Sequence, residues 1–430
     1  MRNRYVDLLR AAAIVRVVVY HSTGWASLTI LFPAMPVMFA LGGSLMAASL
    51  DRHGVAAIGR RARRLLPSLW LLAAVFVPAM LLTGLVPGWR LLLWLVPLHD
   101  PPANTWGALA LSVIWYLRDF LWFVLLSPVA VPLFRRWPVP TLLIPYAVLA
   151  VAESGVTLPP VVADIGLYFG AWLLGVAHHD GTLRRVGWRV LLPVVGVLMA
   201  VGAAWFLTHP GPRGFDLNDI RLGNALWSTG FTLLLLRLAP SAGTVLDGPS
   251  RAVASAVAWL ERRRWISRTV TLLNARALTI YLWHMPIVIG VIALAGRRGW
   301  PLFSTTGLLT RVAIVAALVA VAVALVGWVE DIAARRRPRL MPIGGPGPLD
   351  RAPGQGIGWA GPLGRALGQG IGWAGPSGRA PGPFDWTHDP PDRPSWSSGP
   401  RYARDSEVHA SPLLHDGREW AMVAASGRLP

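Results

Sequence analysis

Residues 5–25 read YVDLLRAAAIVRVVVYHSTGW, and this stretch decides the fold. It is long and apolar enough to cross a bilayer, since about 20 residues rising about 1.5 Å each span the hydrocarbon. It also carries Asp7, Arg10, Arg16 and His21. Ionisable groups inside a spanning helix are costly and face a partner or a watery cavity. Arg10 and His21 are eleven residues apart. That is roughly 16 Å along a helix axis, about three turns, and nearly a return to the same face. One stripe thus presents a guanidinium low in the membrane and an imidazole higher up. Asp7 lies three residues before Arg10 and is placed to pair with it. Arg16 sits mid-span and needs a role of its own. An ion pair with another helix ranks ahead of a place in a binding site.

Composition agrees with a membrane chain. Of 430 residues 54% are hydrophobic and only 14% charged, where a soluble chain carries about 25%. There is no Cys, which excludes disulfides, thiolate catalysis and cysteine metal sites. The formal net charge is +19. The basic residues are all Arg and cluster between apolar spans, which fits membrane orientation rather than nucleic acid. Arg10 and Arg16 interrupt any plain apolar core, so the N-terminus does not read as a cleavable signal peptide.

The pattern predicts an all-α, polytopic transmembrane helix bundle of about ten spans. They fall near 5–27, 33–50, 65–86, 110–134, 139–153, 161–178, 188–207, 221–239, 274–295 and 304–329. Alternate connections are rich in Arg: Arg2 and Arg4, Arg52 to Arg64, Arg135 and Arg136, Arg184 to Arg189, Arg251 to Arg268, and Arg335 to Arg339. Positive loops stay inside. Both termini are therefore expected in the cytoplasm of a multi-pass cell-membrane protein, with only Arg297 and Arg298 out of step. Residues 1–340 form the membrane domain on this reading. Residues 341–430 are rich in Gly, Pro and Arg and hold a 14-residue unit twice, at 351–364 and 365–378. Such a tail buries too little apolar surface to offset its chain entropy and is expected to be disordered. A dispensable cytoplasmic tail is the leading reading, with binding of Trp359 and Trp373 to a partner or to the membrane surface as the alternative.

Several short patterns stand out along the bundle. Asp7, Arg10 and His21 form D-x-L-R-A and Arg-x10-His. Residues 38–50 read MFALGGSLMAASL. Residues 59–70 contain Arg61-x-x-Arg64-x-x-Pro67. Residues 115–122 read WYLRDFLW. Residues 281–286 read YLWHMP, and Glu330 follows in the last span. In this order they resemble the acyltransferase-3 family of integral membrane O-acyltransferases. The resemblance runs from residue 5 to about 331. Departures exist: Gly42 stands where the family has Ser, and Ala277 and Leu278 stand where it often has Ser-Tyr.

The resemblance implies a cytoplasmic acyl-CoA donor, often acetyl-CoA. It implies a hydroxyl acceptor on a glycan, glycolipid or other sugar-containing molecule, and a bilayer setting. It places His21 as general base or acyl carrier, with Arg10 orienting the donor or stabilising negative charge. Tyr281 and His284 share a helix face and join the catalytic candidates. Arg61 and Arg64, three apart, are the candidates to clamp donor phosphates. Arg118 and Asp119, being adjacent, point to different faces and are not expected to be each other's main partner. His178 and His179 lack further ligands in sequence, so no metal is expected. The competing class is a glycan or lipid transporter or flippase, which also needs intramembrane charge; a decayed homologue acting as a scaffold is the third.

Overall fold

The structure is a computed structural model and describes residues 3–240, 247–301 and 304–338. The tail repeats, Trp359, Trp373, Arg2 and Arg339 lie outside these residues. Among the described residues the chain is helical and has no strand. The N-terminal half comprises α1 (Arg4–Thr23), α2 (Ser27–Leu31), α3 (Ala34–His53), α4 (Ala56–Leu82), α5 (Thr105–Ala110), α6 (Ile114–Arg136), α7 (Pro138–Glu153) and α8 (Pro160–His179). The rest comprises α9 (Thr182–Arg185), α10 (Trp188–Thr208), α11 (Arg221–Leu238), α12 (Gly248–Arg262), α13 (Arg264–Ala275), α14 (Ala277–Arg297), α15 (Thr305–Val326) and α16 (Trp328–Ala333).

Each of the ten expected spans finds a helix. Seven segments among the described residues are long and apolar enough to cross a membrane: Ser27–His53, α4, α6, α8, α10, α14 and α15. The other three fall short for visible reasons. α1 carries Arg4, Asp7, Arg10 and Arg16, α11 is rich in polar residues, and α7 is only 16 residues long.

Local chemistry sets the boundaries. The Asn3 side chain accepts hydrogen bonds from the amides of Tyr5 and Val6 and caps α1. Gly24, with φ of 71°, ends it in a left-handed turn. α4 starts nine residues before the expected 65, inside the basic segment. Arg is a good helix former, and a membrane helix tolerates Pro67 and Pro78. Arg61 and Arg64 therefore ride on a helix, not in a loop.

The basic stretch around 248–275, expected as a connection, forms α12 and α13. Both segregate apolar from charged residues, as helices lying in a membrane interface do. Trp259 and Trp265 are exposed on them. Arg4 pairs with Glu261 at 2.9 Å, and Arg237 with Asp247 at 2.7 Å, fastening α12 to α1 and α11. Hydrogen bonds from Ser250 above all, with Trp188 and Arg237, hold the Asp247 carboxyl below the usual carboxylate range.

α3 packs closely on α8. A Cβ at Gly43 would collide with the Trp172 carbonyl, and one at Gly175 with the Ala40 carbonyl. Small residues let membrane helices approach in this way. At Gly42, where the resemblance suggested Ser, a Cβ would press on the rings of Trp172 and Phe120 at 2.7 and 2.8 Å. Trp172 occupies that volume, and its indole N–H donates to Ser127.

One end of the bundle is basic. Arg135 donates to both oxygens of Asp51 and both of Asp180, tying the ends of α3, α6 and α8 together. His179 joins at 2.8 Å from Asp51. Asp51, His179 and Asp180 thus converge as metal ligands would, two of them unseen in the sequence, but the Arg135 guanidinium already holds both carboxylates.

Candidate active site

α1 packs against α14, and the contact brings two histidines together. His21 Nδ1 lies 3.0 Å from His284 Nε2. The ring centroids are 5.0 Å apart, tilted by 47°. The surrounding carbonyls fix the protons. His284 Nδ1 is 2.6 Å from the Tyr281 carbonyl and 3.2 Å from that of Ile280. Carbonyl oxygens only accept, so this nitrogen carries the proton and Nε2 holds a lone pair. His21 Nδ1 must then donate, to His284 Nε2 and to the Val17 carbonyl at 3.0 Å. What remains is His21 Nε2, unprotonated and without a protein partner among the described residues. His284 is fully buried, while His21 is only partly so.

Tyr281 sits behind this pair. Its hydroxyl donates to the Val113 carbonyl at 2.9 Å. Its ring lies 5.7 Å from His284 and 5.0 Å from Tyr116. The hydroxyl is therefore engaged with backbone, and the ring forms the wall behind His284.

Arg10 and His21 share α1 but face separate neighbourhoods. Arg10 Nη1 donates to Asn274 Oδ1 at 3.3 Å, and Asn274 Nδ2 donates to the Asp7 carbonyl at 2.8 Å. Arg10, Arg52 and Arg64 all lie within electrostatic range of Arg61. Arg61 donates to the Leu45 carbonyl at 2.6 Å. Arg64 makes no hydrogen bond or ion pair among the described residues and feels Arg336 as well as Glu330. The candidate donor-binding residues thus gather into one cationic surface at the basic end, and Arg10 belongs to it. Glu330 is engaged locally. It accepts from the Thr279 amide at 2.7 Å and from its hydroxyl at 2.5 Å, capping the first turn of α14.

Two arginines differ from expectation. Arg16 makes no ion pair among the described residues, although Asp216 lies within electrostatic range. It donates to the Leu28 carbonyl at 3.0 Å and lies over the Tyr20 ring at 4.9 Å. A turn ended at Gly24 brings that carbonyl back over the helix, which sequence could not reveal. Arg118 does pair with Asp119, its neighbour in sequence, at 2.9 Å. It also donates to both oxygens of Asp100 at 2.7 Å and to Asp164. Three carboxylates surround one buried guanidinium.

At the end of α1 remote from the basic surface, the 209–220 segment closes over Tyr20. The Tyr20 hydroxyl donates to Asp216 at 2.6 Å and accepts from Arg213 at 2.8 Å. Arg213 pairs with Asp219 at 2.5 Å. Burial opposes the charge on Arg213, yet Asp219, with Tyr20 and Asp216, holds its pKa above the ordinary value. The Tyr20 ring meets His21 edge-on at 5.1 Å. Beyond it lies a depression of about 290 Å³ lined by Trp205, His209, Asp219 and Arg221, among others.

Comparison with known proteins agrees with the short patterns in the sequence. The family model described as an acyltransferase domain, acyltransferase-3, matches residues 3–327. No curated protein and no solved structure matches the chain. The match takes in α1 through α15, the paired histidines and the arginine surface alike. The chain belongs to the acyltransferase-3 family and is a membrane-embedded enzyme that transfers acyl groups.

Proposed function

We propose that the chain is a cell-membrane O-acyltransferase that takes its acyl group, acetyl in the simplest case, from cytoplasmic acyl-CoA. The acceptor is a hydroxyl on a glycan, glycolipid or other sugar-containing molecule. The observation that carries this reading is the histidine pair, which leaves His21 Nε2 as a free base held in one tautomer. The arginine surface supports the donor side: Arg61, Arg64 and Arg10 group several cations, a chemistry suited to nucleotide phosphates. The concentration of Arg at that end supports a cytoplasmic position for it and for both termini.

The chemistry follows from the tautomers. The acceptor hydroxyl gives its proton to His21 Nε2 as its oxygen attacks the thioester carbonyl. The imidazolium that forms shares its Nδ1 proton with His284 Nε2. The tetrahedral intermediate collapses, the C–S bond breaks, and His21 returns the proton to the departing thiolate. The products are an ester and free CoA. Tyr281 keeps its ring behind His284 and acts as a positioning residue.

The test uses purified full-length protein in lipid nanodiscs supplied with acetyl-CoA and with a cell-envelope lipid and glycan extract as the source of acceptor hydroxyls. His21→Ala is expected to lower CoA release by about 10²–10⁴-fold, the usual worth of a general base, with acetyl-CoA binding retained. A folded His21→Ala protein that releases CoA at the normal rate removes this pair from the chemistry.

A further inference from the structure

Arg311 lies on the α1–α14–α15 seam, and the chemistry of acyl transfer leaves it unused. On α15 the buried stripe is Gly307, Arg311, Val315, Val319 and Val323, one residue per turn. The valines pack with Ile14 and Val18 of α1 and with Ile280, Val288 and Val291 of α14. Those same faces carry the histidines. Residues 14, 18 and 21 share one face of α1, and 280, 284, 288 and 291 share one face of α14. Arg311 lies one turn beyond Val315, towards the end of the bundle opposite the arginine surface.

Its side chain is 6% exposed. Among the described residues it has no hydrogen bond, ion pair or ring contact, its Nε is buried without an acceptor, and no charged group lies in electrostatic range. Every other described Arg buried to this degree has an acid: Arg118 has three, Arg237 has Asp247, and Arg276 has Asp331. A buried cation without a counter-charge is costly, and such groups in membranes mark substrate paths. Of the three guanidinium nitrogens only Nε is fully enclosed, so the tip of the side chain opens to the surface of the seam, where an anion can reach it.

We propose that Arg311 receives an anionic group of the acceptor, a phosphate or carboxylate borne by the sugar or by its lipid carrier. This rests on the acyl-transfer reading and narrows its acceptor to an acidic one. The acid docks on the guanidinium, and a hydroxyl farther along the acceptor reaches His21. Two sources share this chemistry, an acidic acceptor and the headgroup of a membrane phospholipid; the site is assigned to the acceptor.

The probe is dodecyl phosphate, with dodecanol as its uncharged counterpart, titrated into full-length protein in phosphatidylcholine nanodiscs. Saturable binding of dodecyl phosphate and none of dodecanol is expected. Arg311→Gln should weaken it about 10–100-fold, the worth of charge-assisted hydrogen bonds, and Arg311→Lys should weaken it less. Equal binding of the two probes by the wild-type protein overturns the proposal, whether or not the variants fold. So does an Arg311→Gln protein that binds dodecyl phosphate normally. Displacement of the probe by phosphatidylglycerol at membrane concentrations overturns it too, since the occupant is then a bulk lipid. CoA release from acetyl-CoA is followed in parallel with the same cell-envelope extract supplying acceptor hydroxyls. Its absence from the wild-type protein defeats the acyl-transfer reading, whereas unaltered donor affinity in Arg311→Gln with lost phosphate binding is the pattern expected here.

Discussion

Replacing His284 with Leu tests whether the second histidine acts through the first. The site is fully buried, and Leu fits an apolar seam without leaving a new unpaired polar group. The change removes the Nε2 acceptor 3.0 Å from His21 Nδ1. His21 keeps the Val17 carbonyl at 3.0 Å, so its tautomer is partly preserved. The loss is one hydrogen bond that strengthens when His21 becomes cationic. Such charge-assisted bonds are worth about 1.5–3 kcal/mol. At about 1.36 kcal/mol per decade, turnover should fall roughly 10–100-fold. The KM for acetyl-CoA should stay unchanged, because the arginine surface lies at the far end of α1.

The assay is CoA release by the single variants His21→Ala and His284→Leu and by the double variant, each quantified as folded protein. If His284 works only through His21, the double variant is no slower than His21→Ala alone. A merely structural role predicts additive losses instead. Additivity, or a His284→Leu enzyme at the wild-type rate, refutes the reasoning.

Three further outcomes follow from the structure. Arg61→Ala combined with Arg64→Ala should raise the KM for acetyl-CoA by about 10-fold or more, and wild-type donor affinity should fall with salt as phosphate contacts are screened; unchanged KM values in steady-state kinetics would separate these residues from the donor. Gly43→Ala forces a methyl group onto the Trp172 carbonyl and should cost about 1–3 kcal/mol or more, read as a lowered melting temperature. Arg118→Met leaves Asp100, Asp119 and Asp164 without their shared cation and should destabilise by about 3–5 kcal/mol, read as loss of folded protein in detergent.

The helices were legible because apolar length is written directly in sequence, and each expected span has a helix within a few residues at most ends. Two places were not. The Arg-rich segments 56–64 and 248–275 look like connections when charge alone is read. Arg is nonetheless a good helix former, and an amphipathic helix needs only one apolar face to rest on the membrane surface. Charge marks which end of a span lies at the interface, not where the helix stops.

The site was legible one residue at a time but not as a set. His21 and His284 each stood out, and both lie on apolar stripes at helical spacing, yet nothing along the chain says that α1 lies beside α14. The arginines show the same limit more sharply. Arg16, Arg118 and Arg311 are all single charges inside apolar spans, alike in sequence. Among the described residues the first has a carbonyl and a ring, the second three carboxylates, and the third nothing. A spanning helix tolerates a buried charge only when something answers it. For Arg16 and Arg118 the answer is inside the fold, so their substitution should be felt as instability. For Arg311 the answer has to come from outside, so its substitution should be felt in binding while the folded protein persists.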